Sequence, residues 1–255
     1  MSPLPNELIT IDAAAGTAEA YVARPDGPGP HPGVLLCMDA IGLRPQIEKM
    51  ADRIASWGHV VLAPNVFYRW GSAADIAPKV DLDNPESRGE FMKTVMPLVH
   101  ALTDDLATAD LSAYIDVLHG LDGVSDGPIG ASGYCMGGRL ALLAAAERPA
   151  DVAAIGMFHT GGLVTDEADS PHRRLAEIRA TVLAVHADND RSLPPEAVQA
   201  FEEALTAAGV AHAASVYPGA VHGYTMADTA AYHPDAAEYH FDELQKLFAN
   251  TLPTG

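Results

Sequence analysis

Cysteine is scarce: the 255 residues include only two, Cys37 and Cys135. That excludes a disulfide framework and cysteine-rich zinc sites, and it fits a reducing compartment. Basic residues are few as well. Fifteen Lys and Arg stand against 34 Asp and Glu, a net charge of −19. Such a surface repels phosphates, so neither nucleic acid nor an anionic membrane is an expected partner. No apolar run reaches spanning length. The start, from Met1 to Glu7, has neither the basic nor the apolar region of a secretion signal, and a cytoplasmic protein is expected. The 11 histidines show no His-Glu-x-x-His or similar zinc spacing. No metal is therefore expected, and no cofactor is expected either.

What is present is a globular composition, 48% hydrophobic and 19% charged. Strand and helix signals alternate along it. Leu8 to Ile11 and Ala18 to Ala23 read as strands. Gly33-Val-Leu-Leu-Cys37 and Val60-Val-Leu-Ala63 are unbroken apolar runs, as strands buried on both faces should be. Between them Pro45 opens a helix with Ile47, Met50, Ala51 and Ile54 on one face. Leu106, Ala109, Ala113 and Val117 mark another helix. Strands follow at 128–132, 152–158, 181–186 and 215–217, with helices near 139–147, near Val198 to Leu205 and from Ala237 to Phe248. This order predicts one α/β domain over residues 1–255, built on an open, mostly parallel, doubly wound sheet with helices on both faces. Residues 65–105, rich in Asp, Pro and Gly, are the least regular and are expected to form a binding loop or lid.

The sharpest local feature is Gly133-Tyr-Cys-Met-Gly-Gly138, where the strand at 128–132 gives way to a helix. That is the setting of a nucleophile elbow, with cysteine as the nucleophile. A nucleophile on so sharp a turn has a strained backbone, and small residues two positions either side avoid a clash. The helix N-terminus behind Cys135 favours a thiolate, and the Met136 N–H points at a developing oxyanion. Neither a P-loop nor a dinucleotide fingerprint fits: Arg139 and Leu140 follow Gly138, and Gly130-Ala-Ser-Gly133 lacks Gly-x-Gly. A buried structural cysteine in a glycine turn is the plainer alternative. Asp190 and His222 lie just past two later strands, so nucleophile, acid and histidine occur in α/β-hydrolase order. Asp188 competes with Asp190 as the acid.

These residues resemble those of the dienelactone hydrolase family of α/β-hydrolases. The likeness rests on Met38-Asp-Ala-Ile-Gly42 followed by Leu43-Arg-Pro, on the elbow, on Asp190 with Leu193-Pro194, and on Tyr217-Pro-Gly-Ala with His222-Gly223. It runs over residues 7–250 or so. The resemblance implies the α/β-hydrolase fold, a Cys135–His222–Asp190 triad, and an oxyanion hole from the N–H groups of Ala40 and Met136. Family members carry a glutamate at the position of Asp39 that holds the resting thiol. Asp39 is the corresponding gate here, unless the shorter side chain merely caps the helix near Pro45. Tyr68, Arg69, Tyr134, His159 and Met226 are the candidate substrate-binding residues. Family members that hydrolyse dienelactone, an anion, use an arginine shortly after the histidine. Here the run is His222-Gly-Tyr-Thr-Met226, so neutral substrates are expected unless Arg69 or Arg44 supplies the cation.

The function expected is hydrolysis of small ester or lactone substrates through an acyl-thioester, by a monomer or small homo-oligomer. Two alternatives stay open: a triad enzyme acting on other acyl or phosphoryl esters, and a non-catalytic protein of this fold with Cys135 as a redox sensor.

Overall fold

The computed structural model describes residues 6–252; the first residues of the start read above, Met1 to Pro5, lie outside it. Strands β1 (Glu7–Ala13) and β2 (Gly16–Ala23) form a hairpin in which Ala13 pairs Gly16, so both strands run further into the turn than Leu8 to Ile11 and Ala18 to Ala23. The remaining strands are β3 (Gly33–Cys37), β4 (Val60–Pro64), β5 (Ile129–Tyr134), β6 (Val152–Phe158), β7 (Thr181–Asn189) and β8 (His212–Val221). They make one eight-stranded sheet in the order β1-β2-β4-β3-β5-β6-β7-β8. β1 and β2 run antiparallel to their neighbours and all later pairs are parallel. This is the mostly parallel α/β sheet the alternation predicts.

Every residue of β3, β4 and β5 is buried, which is why Gly33 to Cys37 and Val60 to Ala63 are unbroken apolar runs. Helix α1 (Pro45–Ala55) covers one face. It begins at the expected proline, buries the expected stripe, and stops where Gly58 takes φ +99. The last helix, α7 (Pro234–Thr251), lies on the same face, joined to α1 by Arg53 on Glu238 and by Trp57 against Phe241. The opposite face carries α4 (Asp104–Gly120), α5 (Met136–Glu147), a 3₁₀ turn (Pro171–Glu177) and α6 (Pro195–Ala207).

Two expectations need correction. Residues 65–105 are largely helical: a short α2 (Ala73–Ile76) precedes a 17-residue α3 (Pro85–Ala101) capped by Asn84, whose side chain accepts from the N–H groups of Glu86 and Ser87. The buried face of α4 is also turned from the stripe read in sequence. Ala109 is exposed, and Ala107, Asp110, Leu111, Tyr114 and Leu118 face inward. The reason is Asp110, an acid at a core position, paired with Arg69 and accepting from the Tyr68 hydroxyl at 2.8 Å.

Candidate active site

Cys135 follows β5 and precedes α5, with φ 54 and ψ −120. A non-glycine residue held there carries of the order of 1–3 kcal/mol of strain, sustained only by rigid surroundings. The glycines make room for it. A Cβ on Gly133 would lie 1.9 Å from the Gly137 carbonyl oxygen, and one on Gly137 would lie 2.2 Å from the Cys37 carbonyl oxygen. Strand, turn and helix therefore approach more closely than any side chain allows. Met136 is the first residue of α5, so its N–H has no partner within the helix. Met136 and Ala40, which follows β3, both line the hollow around the thiol.

His222 and Asp190 come to the same end of the sheet from β8 and β7. Their register shifts between Ala187 and Asn189, a local irregularity beside the acid. His222 Nδ1 lies 2.7 Å from Asp190 Oδ2. The other carboxylate oxygen accepts from the Ser192 N–H at 2.8 Å and the Ser192 hydroxyl at 2.5 Å. Asp188 turns away, accepting the Gly219 N–H at 3.0 Å. Burial opposes a charge on His222, but the Asp190 carboxylate bonded to it and the neighbouring Cys135 outweigh that effect, and its pKa is pushed up to about 10. Burial likewise works against ionised Asp190, yet His222 and Ser192 hold its carboxyl below the usual range. An imidazolium at neutral pH, backed by a carboxylate and facing a cysteine, suits a thiolate nucleophile. Cys37, by contrast, is wholly buried in β3, and burial pushes its thiol up to about 12.

Asp39 does not reach for the thiol. Its carboxylate takes Arg44 in a bidentate pair at 2.6 and 3.1 Å, and Oδ1 also accepts the Ile41 N–H. Nor does it cap α1, whose N-cap residue is Arg44. The guanidinium of Arg44 reaches onward to Asp228 at 2.6 and 3.1 Å and to the Met226 sulfur at 3.5 Å. Arg44 thus ties the loop holding Ala40 to the loop following His222.

The expected substrate-binding residues lie elsewhere. Tyr68 and Arg69 are committed to Asp110, and Tyr68 also accepts the Ala15 N–H. Tyr134 is buried beneath the elbow, stacked on Phe158, with its hydroxyl 3.3 Å from His240 Nε2. His159, at φ 39, is buried with Nε2 2.8 Å from the Thr225 hydroxyl; burial and nearby His222 push its pKa well down. Met226 is buried against Arg44. None of the five lines the hollow beside Cys135, whose volume is about 530 Å³. Its walls are instead Met92, Met96 and Val99 from α3, Leu102 to Asp104, Arg139, and Ser192 beside His222. Met92, Met96 and Val99 are spaced by four and three, the signature of one helix face, inside the segment read as irregular.

The sequence and the fold have known counterparts. The sequence model of the dienelactone hydrolase family matches residues 18–252. The chain belongs to the dienelactone hydrolase family. It is 27% identical over 244 residues to a candidate carboxymethylenebutenolidase of Methylorubrum extorquens, covering 94% of this chain and 79% of that one. A counterpart from Yersinia pestis is 29% identical, covering 90% and 82%. A crystal structure of a candidate dienelactone hydrolase from Klebsiella pneumoniae superposes with TM-score 0.80 at 25% identity, covering 96% and 98%. The fold is accordingly the α/β-hydrolase fold, and this dienelactone hydrolase family member is a hydrolase. Among its described residues no helix is long and apolar enough to cross a membrane, and no cluster of metal-ligating side chains occurs.

Proposed function

We propose that this hydrolase cleaves neutral esters or lactones with Cys135 as nucleophile, His222 as proton carrier and Asp190 as its orienting acid. The observation that carries this reading is the strained elbow cysteine facing a histidine that Asp190 holds at 2.7 Å. The thiolate attacks the carbonyl carbon, and the N–H groups of Ala40 and Met136 receive the oxyanion. The tetrahedral adduct collapses, the His222 imidazolium protonates the departing alkoxide, and a thioester remains. The now neutral imidazole takes a proton from water, whose oxygen attacks the thioester. Collapse expels the thiolate and releases the carboxylic acid, leaving the thiolate and the imidazolium of the starting state, so atoms and charge balance over the cycle.

Preference for uncharged substrates is supported by the pairing of three arginines with acids. Arg139 is bonded to Asp104 and donates to the Leu102 carbonyl, while Arg44 and Arg69 are taken by buried acids. Asp169 adds a further acid to the wall. A substrate carboxylate would have to compete with Asp104 for Arg139, the guanidinium that lines the hollow, and a lost charge-assisted pair weakens binding by a hundredfold or so, about 2–3 kcal/mol.

Hydrolysis of p-nitrophenyl acetate by pure protein tests the triad. Sustained turnover, abolished in Cys135→Ala and nearly unchanged in Cys37→Ala, is expected. Full activity in Cys135→Ala overturns the mechanism, and thiol modification without turnover would point to a sensor. Comparison of kcat/KM for a neutral aryl ester and a carboxylate-bearing analogue tests the charge preference, and a clear preference for the carboxylate refutes it.

A further inference from the structure

Helix α3 is poorly anchored for its length: of 17 residues only Val95 is buried. One face, Met92, Met96 and Val99, forms the apolar wall of the hollow that holds Cys135. The other, Phe91, Thr94 and Leu98, borders a second hollow of about 380 Å³ shared with Ile76 and Val80. The helix therefore has open space on both flanks, and Pro97 removes one hydrogen bond near its C-terminal end. The wall it offers is unusual in composition. Two methionines, unbranched and readily repacked, fill irregular gaps better than β-branched side chains. The polar part of the lining includes Arg139 paired with Asp104, and Ser192 beside His222.

We infer that α3 is the specificity element of this enzyme, and that Met92, Met96 and Val99 receive the aliphatic or aryl part of a neutral ester whose carbonyl sits at Cys135. This rests on the Cys135 triad for turnover, though not for binding. A chain laid on that wall leaves water for methionine and valine surface, whereas the polar part of the lining has nothing to offer it. Flexible side chains on a loosely seated helix accept a range of apolar shapes, so selection is by apolar length rather than by one fixed outline.

The test is a chain-length series of p-nitrophenyl esters, acetate through hexanoate. Each methylene buried on the wall raises kcat/KM, by about fourfold when fully removed from water. In a Met92→Gln, Met96→Gln double variant, which keeps side-chain length but makes the wall polar, the hexanoate-to-acetate ratio is expected to fall at least tenfold. A flat or declining series in the wild type, or an unchanged ratio in the folded double variant, overturns the inference. Calorimetric binding of methyl hexanoate and methyl butyrate to Cys135→Ala protein decides the matter without turnover. Tighter binding of hexanoate is expected, and equal binding overturns the inference. Absence of all esterase activity together with tighter hexanoate binding would sink the triad and leave the docking wall standing.

Discussion

Replacing Asp190 by asparagine asks the most of the proposed chemistry, because the structure dictates which way the amide must face. The Ser192 N–H donates to Asp190 Oδ1 at 2.8 Å and its hydroxyl donates to the same atom at 2.5 Å. An amide placed there keeps its oxygen toward these donors, so its NH₂ group turns toward His222 Nδ1, 2.7 Å from the present Oδ2. Two donors cannot share that contact. The imidazole is forced into the tautomer with its proton on Nε2, toward Cys135, and can no longer take a proton from the thiol. The acid that offsets burial at His222 disappears too, so its pKa falls from about 10. The same tautomer error in a serine protease costs about ten-thousandfold in kcat, some 5–6 kcal/mol of barrier. We expect a comparable loss in steady-state p-nitrophenyl acetate hydrolysis by Asp190→Asn at pH 7. Asp188, whose carboxylate only accepts the Gly219 N–H, should tolerate Asp188→Asn with less than a tenfold change. Circular dichroism would confirm that both variants are folded. A larger loss in Asp188→Asn, or a loss under tenfold in Asp190→Asn, refutes the assignment of the acid.

Other outcomes follow from the same geometry. The raised pKa of His222 stabilises the fold fully below pH 6.5 and is lost as pH climbs toward about 10. The lowered pKa of Asp190 contributes above the ordinary carboxylate range and is lost as pH falls below it. The wild type should thus exceed Asp190→Asn in Tm most at pH 5–6 and converge with it near pH 10; a gap that widens with alkali contradicts the linkage. Gly137→Ala sets a Cβ 2.2 Å from a backbone carbonyl that cannot move aside, so urea melts should show a loss at or beyond the ~1–3 kcal/mol usual for overpacking. Gly89→Ala, in α3 with open space around it, should instead stabilise by about 0.5–1 kcal/mol. Arg44→Gln strands Asp39, which is 3% exposed, and should cost about 3–5 kcal/mol in the same assay; a cost below 1 kcal/mol would mean that water reaches the acid.

The sheet was legible in the sequence because strands buried on both faces leave a mark that needs no partner to interpret. Gly33 to Cys37 and Val60 to Ala63 are such runs, and the helix expected from Ala237 to Phe248 buries Ala237, Phe241, Leu244 and Phe248 along one face. The elbow was legible for a similar reason, since Gly133 and Gly137 answer local steric demands. What stayed hidden depends on distant pairings. Arg69 follows a strand and looks free, yet its partner Asp110 lies 41 residues on. Arg44 and Asp228 are 184 residues apart. The same acid at a core position of α4 blurred that helix's apolar period, and Pro97 and Gly89 disguised α3. Asp39 looked like a gate because only its place in the chain was visible, and the arginine five residues later claims both its oxygens.

That division also shapes the proposed chemistry. Cys135, Asp190 and His222 stand at the carboxyl ends of β5, β7 and β8, where parallel strands fix their loops. The strain at Cys135 persists because close-packed backbone surrounds it, and Arg44 clamps the loops of Ala40 and Met226 together. Reacting groups must be held to fractions of an ångström, since small misplacements forfeit much of the gain from preorganisation. The wall that would meet the rest of the substrate has no such duty. It is carried by α3, a helix with one buried residue, outside the sheet and built from flexible side chains. Substitutions along α3 can therefore change which ester is accepted without disturbing the attack on its carbonyl, whereas substitutions in the elbow would remove both. Where the rigid part of the molecule ends and the loosely seated part begins is thus also where the bond to be cleaved gives way to the group that identifies the substrate.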